Sequence, residues 1–493
     1  MKVTIENFGP VKEFTFDTQK KFHLIVGDNN VGKSYVLTVF YFIVKTLLDF
    51  GTLRPLNRRM FFFELAEDEE ETPRKEVVDF KHLIKDKKSR SLNASSFYSY
   101  LAKDFLQHTV AEDFSKKVKS SYFEHNSISN SFSDSNIAKV SIDLGSLSFT
   151  LEGNVDEFKV TNITFNHGVI LRYSKQNRNP TIIGKDLVIY ALTTEDADSI
   201  ISKIKLVCVR RMIQVLSDSV ENILDIDYLP ASRSGLYQAL SAFGQIIAEL
   251  SKSRSFLTSK IELPGISGQL SDYFIRLTNI VASDKNIEKF EDLARNIESD
   301  VLKGCIEFDF EEKKLFYRPN GTSLRLDISS TSSMVSETAP IVAYIRHVIA
   351  WNAEEPAIRN RVRRRARGSS PIEFKKIIIV EEPEAHLHPA NQIKMTRFYA
   401  DLAQLGVSVI MTSHSNYVFN KASNLVIEGV LPCEDVQCDL FQMGEKGSIG
   451  VPQIVDSFGI NDENFGDASE DLINERMELL MGGDTQLDKD ICN

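Results

Sequence analysis

The segment best suited to chemistry is a loop near the amino terminus with the sequence Gly27-Asp-Asn-Asn-Val-Gly-Lys-Ser34. It fits the pattern G-x-x-x-x-G-K-S, in which glycines let the backbone wrap tightly so that its N–H groups point at phosphate oxygens. In this pattern Lys33 reaches the β- and γ-phosphates of a nucleotide, and the hydroxyl of Ser34 is a ligand for Mg²⁺. The predicted phosphate-binding residues are Gly27, Asp28, Asn29, Asn30, Val31, Gly32, Lys33 and Ser34.

The segments on either side of this loop support the same chemistry. The apolar run Phe22–Val26 before it predicts a buried strand, and Lys33–Phe50 after it carries apolar residues at the spacing of an amphipathic helix. A strand–loop–helix unit places the loop at a helix amino terminus, where free N–H groups favour anions. The alternative is a glycine-containing strand–helix turn that binds no ligand.

Two adjacent carboxylates follow a second apolar run, in the segment Lys376-Ile-Ile-Ile-Val-Glu-Glu-Pro-Glu-Ala-His-Leu-His-Pro389. The run predicts a buried strand that ends at Glu381 and Glu382. Because successive strand residues face opposite ways, the two carboxylates can take different roles. Glu381 can hold Mg²⁺, and Glu382 can point at a water that attacks the γ-phosphate. The alternative is a pair of solvated glutamates.

A histidine stands at the end of a third predicted strand, in the segment Val407-Ser-Val-Ile-Met-Thr-Ser-His-Ser415. His414 can hydrogen-bond the γ-phosphate and orient the attacking water. A lone histidine at a strand end is more often an ordinary loop residue. The order and spacing of the three segments favour the catalytic role.

The second and third segments resemble a known family. Glu-Glu-Pro-Glu-Ala-His-Leu-His-Pro (381–389) and Thr-Ser-His-Ser (412–415) are similar to the Walker B, D-loop and H-loop of the OLD/RecF/SMC-like ABC-type ATPases. The resemblance implies ATP and Mg²⁺ as ligands, Glu381 as the Mg-associated acid, and Glu382, His414 and Lys33 as catalytic residues. The family more often has Asp at the position of Glu381. The likeness covers the outer thirds of the chain well and residues 51–300 poorly.

Such ATPases close two heads around ATP, and each nucleotide then meets a signature serine from the partner head. The candidate segment is Ile328–Glu337, where we favour Ser332 and Ser333. It lacks the glycines of the usual signature, and an ordinary serine helix cap is the alternative. Arg233, in a segment that resembles one found in stand-alone relatives, is predicted to contact nucleotide or sense the partner. A structural turn with a surface arginine is the alternative.

Six arginines crowd into a short stretch before the Glu-Glu segment. A run of like charges is usually a solvated loop, and it can otherwise bind nucleic acid or an acidic protein face. No aromatic residues interleave, so base stacking is not indicated. The six are Arg359, Arg361, Arg363, Arg364, Arg365 and Arg367.

Composition limits the class of protein. With 493 residues, 42% of them apolar, the chain can form two to three structural units. A net charge of −11 argues against general nucleic-acid coating without excluding a local basic face. The five cysteines are thinly spread and predict reduced thiols. There is no apolar signal region, and the apolar run Val36–Val44 is too short to span a bilayer, so we expect a cytoplasmic protein without membrane contact.

The strand and helix patterns predict an α/β fold of the P-loop, ABC-type head kind: a mixed sheet with flanking helices, a β-meander lobe and a helical insertion. Both ends of the chain contribute to one core. The expected segments are 1–50, the first part of the core; 51–136, a helical and loop insertion; 137–193, the meander lobe; 194–304, a mostly helical insertion; 305–460, the second part of the core; and 461–493, an acidic tail.

Two features narrow the choice of relatives. Only 79 residues follow His414, too few for the Toprim module of OLD nucleases, and no heptad pattern predicts an SMC arm. The chain therefore resembles the stand-alone ATPases of Septu- or PARIS-type anti-phage systems. That resemblance implies a homodimer or larger homo-oligomer and a separate effector, a nuclease. The alternative is a RecF/SMC-like ATPase that acts directly on DNA.

Overall fold

The computed structural model describes residues 1–52, 80, 82, 84, 91–122, 128, 130, 132, 137–220, 222–235, 267–280, 288–350, 375–462 and 471–480. The strands are β1 (Lys2–Phe8), β2 (Val11–Asp17), β3 (Phe22–Gly27), β4 (Ser91–Asn93), β5 (Ala138–Asp143), β6 (Leu147–Gly153), β7 (Phe158–Phe165), β8 (Val169–Ser174), β9 (Thr181–Ile183), β10 (Asp186–Leu192), β11 (Ile223–Leu229), β12 (Gly304–Asp309), β13 (Lys314–Pro319), β14 (Leu326–Asp327), β15 (Lys375–Glu381), β16 (Val407–Ser413), β17 (Val436–Gly444), β18 (Gly447–Pro452), β19 (Val455–Asp456) and β20 (Gly459–Ile460).

The α-helices are α1 (Lys33–Thr52), α2 (Ser95–Leu106), α3 (Glu112–Ser121), α4 (Ala197–Ser219), α5 (Gly268–Thr278), α6 (Glu288–Ile297), α7 (Ser333–Tyr344), α8 (Pro389–Gln404) and α9 (Asn416–Ile427). Short turns of π- or 3₁₀-helix are Gln107–Ala111, Glu298–Leu302, Ile328–Ser330, Ile345–Ile349 and Cys433–Asp435. Residues 471–480 are also helical. In the described part of the chain, no helix is both long and apolar enough to cross a membrane.

The largest sheet of the described chain has eleven strands in the order β11-β15-β16-β3-β17-β18-β2-β1-β5-β6-β7. The first five run parallel. The remaining pairs are antiparallel, except for β18 and β2. This mixed sheet with helices packed against it confirms the predicted α/β fold class.

The parallel strands are buried on both faces. Leu24 and Val26 of β3 lie in an apolar cluster with α8 and α9, whereas Ile25 lies in the cluster that includes α1 and α4. A strand covered on both sides needs a continuous apolar run, which explains the sequence before the loop. The one polar residue in that run, His23, lies 2.5 Å from Asp439 of β17.

The strands predicted within residues 137–193 divide between two sheets. β5, β6 and β7 extend the large sheet as an antiparallel meander. β8, β9 and β10 form a second sheet with β4, in which β8 and β10 are parallel. The domain boundaries drawn from the sequence stay predictions.

The prediction of a mostly helical insertion over residues 194–304 is wrong for Ile223–Leu229. This segment is β11, which pairs with β15 at the edge of the large sheet. Two acids, Asp225 and Asp227, interrupt its apolar pattern and conceal the strand. Both pair with Arg276 of α5, whose Nη1 atom lies 2.5 Å and 3.2 Å from their carboxylates. The negative charges of the two acids are therefore balanced by an arginine from a helix that follows later in the chain.

The ion pairs of β11 change the ionisation of both acids. Burial alone would raise the pKa of Asp225, but the charge and hydrogen bond of Arg276 hold it below its ordinary value. Burial raises the pKa of Asp227 despite the same cation. The tyrosine hydroxyl of Tyr344 also donates to Asp227 at 3.0 Å. The guanidinium of Arg276 thus favours the ionised form of both carboxylates on the edge strand β11.

We expect the substitution Arg276→Met to destabilise the protein by roughly 2 to 4 kcal/mol at pH 8, because a buried pair that loses one partner leaves charge uncompensated. The Asp225–Arg276 pair, in which the pKa of the aspartate is lowered, contributes stability above the ordinary aspartate pKa and loses it as pH falls through the lowered pKa. Without the arginine, the pKa values of Asp225 and Asp227 rise and protonation relieves the loss. Denaturant unfolding should therefore show a smaller difference from wild type at pH 5 than at pH 8.

The exposed Arg295→Met is the matched control, with an expected change below about 0.5 kcal/mol. An Arg276→Met loss that is the same at both pH values would contradict this account of β11.

Candidate nucleotide-binding site

The carboxyl ends of β3, β15 and β16 lie side by side in the parallel part of the sheet. In their register, Glu381 of β15 is opposite Thr412 of β16, and Ser413 of β16 is opposite Val26 of β3. The loop after β3, the Glu-Glu pair and His414 therefore meet at one edge, where open α/β sheets bind their ligands. The structure brings together the three segments that the sequence selects.

Two glycines of the loop meet steric requirements that other residues would not satisfy. Gly27 has φ +137° and Gly32 has φ +96°. A Cβ atom at Gly27 would lie 2.4 Å from the carbonyl oxygen of Phe441, and one at Gly32 would lie 2.6 Å from Val11. The loop can wrap this tightly against its neighbours only with glycine at both positions.

An open cavity of about 420 Å³ lies at this edge of the sheet. Its volume is within the range of small-molecule sites. Six of the eight predicted loop residues line it, and Glu382 and His414 lie among the other lining residues. The full lining is Pro10, Asn29, Asn30, Val31, Gly32, Lys33, Ser34, Tyr35, Glu382, Thr412 and His414.

Lys33 lies at the base of the loop and is only 6% exposed. Its Nζ atom donates to the carbonyl oxygens of Gly27 at 2.9 Å and Asp28 at 2.6 Å. Burial lowers the pKa of Lys33 to about 8, although the charges of Glu382, Asp28 and Glu384 favour the charged form. The ammonium group is thus largely desolvated, and phosphate oxygens can replace the two carbonyls as its partners.

Glu381 ends β15 and is almost fully buried. Burial raises its pKa, although hydrogen bonds from Ser34 and Tyr228 oppose that change. The Oε1 atom has no hydrogen-bond partner among the described residues. Because Mg²⁺ prefers carboxylate and hydroxyl oxygens, a free carboxylate oxygen beside the Ser34 hydroxyl fits this ion. Ser34 and Glu381 would hold it together with substrate phosphates.

Glu382 and His414 also line the cavity. Glu382 has φ +44°, a conformation that few residues other than glycine adopt. Its Oε1 atom lies 3.7 Å from Nε2 of His414. Burial, and then the charge of Lys33, lower the pKa of His414, so its imidazole is neutral at pH 7. A carboxylate and a neutral imidazole at this spacing can bind one water from two sides.

A comparison with known families agrees with this geometry. The family described as the AAA ATPase domain matches residues 1–419, most of the chain. The chain belongs to this ATPase family. No curated protein sequence matches it.

Solved structures share a weaker likeness with the ATPase. An SMC head from Thermotoga maritima has 9% identity and a TM-score of 0.35, with 92% of this chain and 98% of that chain covered. An Smc head bound to the C-terminal winged-helix domain of ScpA has 11% identity and a TM-score of 0.35, over 92% and 96%. A further Smc head, with an extended coiled coil and a ScpA domain derived from Pyrococcus furiosus, has 11% identity and a TM-score of 0.32, over 96% and 98%. Similarity at this level does not define the fold of this chain. The strand order of its eleven-stranded sheet defines that fold directly.

One acid of the ATPase site has a role that sequence reasoning missed. Glu384 accepts hydrogen bonds from the Ser413 hydroxyl at 2.8 Å and from the His414 backbone N–H at 2.6 Å. Burial raises the pKa of this carboxyl group. The contact fixes the start of the loop that carries His414. Its position within 381–389, the segment that resembles the Walker B and D-loop of the family, is the only signal that the sequence offers.

Pro10 and Tyr35 are further lining residues that sequence reasoning missed. Pro10 lies in the turn between β1 and β2, and Tyr35 directly follows Ser34. The ring of Tyr35 stacks on Tyr122 with centroids 5.2 Å apart. An aromatic residue adjoining the phosphate loop is a signal that could have indicated this wall of the cavity.

Arg233 lies close to the site but does not line its cavity. It is 1% exposed, so the alternative of a surface arginine is wrong. Its Nη1 atom donates to the carbonyl oxygen of Glu381 at 3.0 Å, and Nη2 donates to that of Glu382 at 3.4 Å. Within one chain, Arg233 therefore does not reach the cavity where a nucleotide would be contacted.

The two favoured signature serines stand at the amino terminus of α7. Ser332 caps this helix by accepting from the backbone N–H of Val335, and both Ser332 and Ser333 are exposed. Neither lines the cavity of its own chain. The six arginines of 359–367 lie outside the described residues, and their role stays a prediction.

The lowered pKa of Lys33 predicts proton uptake when ATP binds. Below pH 8 the lysine is already charged, whereas above pH 8 it is largely neutral and the bound phosphates raise its pKa again. The dissociation constant of ATP should then rise by up to about tenfold per pH unit above pH 8. Calorimetry at pH 9 in buffers of different ionisation enthalpy should detect the proton.

Lys33→Arg is the matched control, since a guanidinium stays charged at pH 9 and should take up no proton on binding. Wild-type binding at pH 9 without proton uptake would show that the pKa of Lys33 is not lowered.

Proposed function

We propose that this ATPase is a molecular switch in which two copies close around ATP and reopen after hydrolysis. The observation that carries the proposal is the position of Ser332 and Ser333, which are exposed at a helix amino terminus outside the cavity of their own chain. A helix amino terminus attracts phosphate through its free N–H groups and its dipole. A second copy would bring these serines to a nucleotide.

Within one copy, each residue of the cavity has a distinct task. Lys33 exchanges its two carbonyl partners for phosphate oxygens. Glu382 accepts a proton from the water that attacks the γ-phosphate, and neutral His414 orients that water or the γ-phosphate by a hydrogen bond. Ser34 and Glu381 would hold Mg²⁺, which supplies charge to offset the phosphates when it is bound.

Such a switch acts on other proteins through the difference between its closed, ATP-bound state and its open state after hydrolysis. ATP favours the closed pair because each nucleotide contacts residues of both copies, and hydrolysis removes the γ-phosphate from that contact. A protein that binds one state more tightly than the other then responds to the nucleotide. The homodimer, or a larger homo-oligomer of the same heads, is the assembly that this mechanism requires.

We place the switch in the OLD/RecF/SMC-like group of ABC-type ATPases and propose that it serves an anti-phage system of the Septu or PARIS type. The resemblance of 381–389 and 412–415 supports the group. The longest helix of the described chain, α4, has 23 residues, so the described part carries no SMC-like arm. A separate nuclease effector, held in one state and released in the other, would carry out the response.

Direct action on DNA, as in RecF-like proteins, is the rival function, and the arginines that would support it lie outside the described residues. The two functions differ in what they require of DNA. Control of an effector leaves a stable complex with a second protein when DNA is absent. Direct action gives DNA binding that weakens steeply with salt, because phosphate contacts release counterions.

The first test of the switch is the solution mass of Glu382→Gln with and without ATP and Mg²⁺. The amide cannot accept the proton from water, so ATP should persist and hold the copies together. Light scattering should show an ATP-dependent gain in mass for Glu382→Gln that is absent in Lys33→Ala, the control that weakens phosphate binding. ATP binding without any change in mass would contradict head closure.

A further inference from the structure

Arg233 is hydrogen-bonded on one side to the strand end that carries the two site glutamates. Its guanidinium donates to the carbonyl oxygens of Pro230 at 2.9 Å, Glu381 at 3.0 Å and Glu382 at 3.4 Å. These contacts fix the backbone on both sides of the Glu381–Glu382 peptide bond. Because Glu382 has φ +44°, its conformation needs support from its surroundings. The hydrogen bonds from Arg233 to the carbonyl oxygens of Glu381 and Glu382 supply that support.

On its other side, Arg233 is hydrogen-bonded to Glu337 of α7. Its Nε atom donates to the carbonyl oxygen of Glu337 at 3.2 Å, and its backbone N–H donates to the Glu337 carboxylate at 2.9 Å. The N–H of Ser234 donates to the same carboxylate at 3.3 Å, as does its hydroxyl. One carboxylate thus binds the loop after β11 through three donors.

The position of Glu337 in α7 links this contact to the amino terminus of the helix. Glu337 lies four residues after Ser333, which is one helical turn and therefore the same side of the helix. Residues 335–344 of α7 are all buried. A helix packed on every side moves as a unit, so displacement of its exposed amino terminus displaces Glu337 as well.

We propose that Arg233 is a positioning residue that couples the conformation of Glu382 to the amino terminus of α7. The inference rests on the proposed function, which places Ser332 and Ser333 against the nucleotide of a second copy. Contact of these serines with that nucleotide shifts α7, and Glu337 and Arg233 transmit the shift to the backbone of Glu382. Each copy then adjusts its own catalytic carboxylate to the nucleotide held by its partner.

Glu337→Gln tests the coupling while it leaves the bonds from Arg233 to the strand carbonyls in place. An amide has one acceptor oxygen where the carboxylate has two, so at least one of the three donors loses its partner. We expect ATP affinity to stay near that of wild type, kcat to fall roughly tenfold, and a wild-type Hill coefficient above unity to fall to about 1. Equilibrium ATP binding and steady-state hydrolysis measure these quantities.

The Hill coefficient separates coupling from a merely structural role. A structural defect would lower the melting temperature and weaken ATP binding and hydrolysis together, with cooperativity unchanged. Glu307→Gln is the matched control, since Glu307 forms surface ion pairs with Arg318 and Arg325 away from the site. Arg233→Lys is the second variant: one ammonium cannot reproduce the fork of contacts, so it should lose cooperativity and kcat even where it folds normally.

The outcome for Glu382→Gln distinguishes the two proposals. If that variant gains mass with ATP but Glu337→Gln keeps the wild-type kcat and Hill coefficient, the coupling is overturned and the switch stands. If Glu382→Gln gains no mass, the switch fails and the coupling fails with it. A loss of cooperativity in Glu337→Gln and Arg233→Lys, with ATP affinity retained, supports the coupling.

Discussion

The charge of Lys33 has to be balanced in a place that is largely removed from water. Burial lowers its pKa to about 8, and the negative charges of Glu382, Asp28 and Glu384 oppose that shift. Burial also raises the pKa of Glu381 and Glu384, so each carboxylate is costly to ionise without its neighbours. A cluster of this kind keeps its charges only where the backbone holds every group in place. The parallel strand ends provide that placement, and fixed placement of charged groups is the condition for electrostatic catalysis.

The placement has a local cost in backbone conformation. Glu382 and His386 both have positive φ, at +44° and +61°. Non-glycine residues stay in this region only where their surroundings impose it. The Glu382 N–H donates to the Thr412 hydroxyl at 3.3 Å, and Arg233 binds its carbonyl oxygen. The next strand and a buried arginine therefore hold Glu382 between them, and the same arginine is hydrogen-bonded to Glu337 of α7.

The sequence predicted the parts of the site that depend on local pattern. The phosphate loop is marked by its glycines, and the strands before Glu381 and His414 are marked by continuous apolar runs, which occur because these strands are buried on both faces. β11 was missed because Asp225 and Asp227 are balanced by Arg276, about fifty residues away in the chain. The same reason applies to Arg233, whose burial depends on carbonyl groups and a glutamate that only the folded chain brings together.

The central claim is that one cavity, formed by three strand ends, both binds ATP and hydrolyses it through Glu382. Single-turnover hydrolysis by Glu382→Gln, measured beside its ATP affinity, tests this claim most directly. The account predicts ATP affinity close to that of wild type and a hydrolysis rate at least about a hundredfold lower, the usual contribution of a general base. Hydrolysis within a few fold of the wild-type rate would show that another group activates the water and would contradict the account.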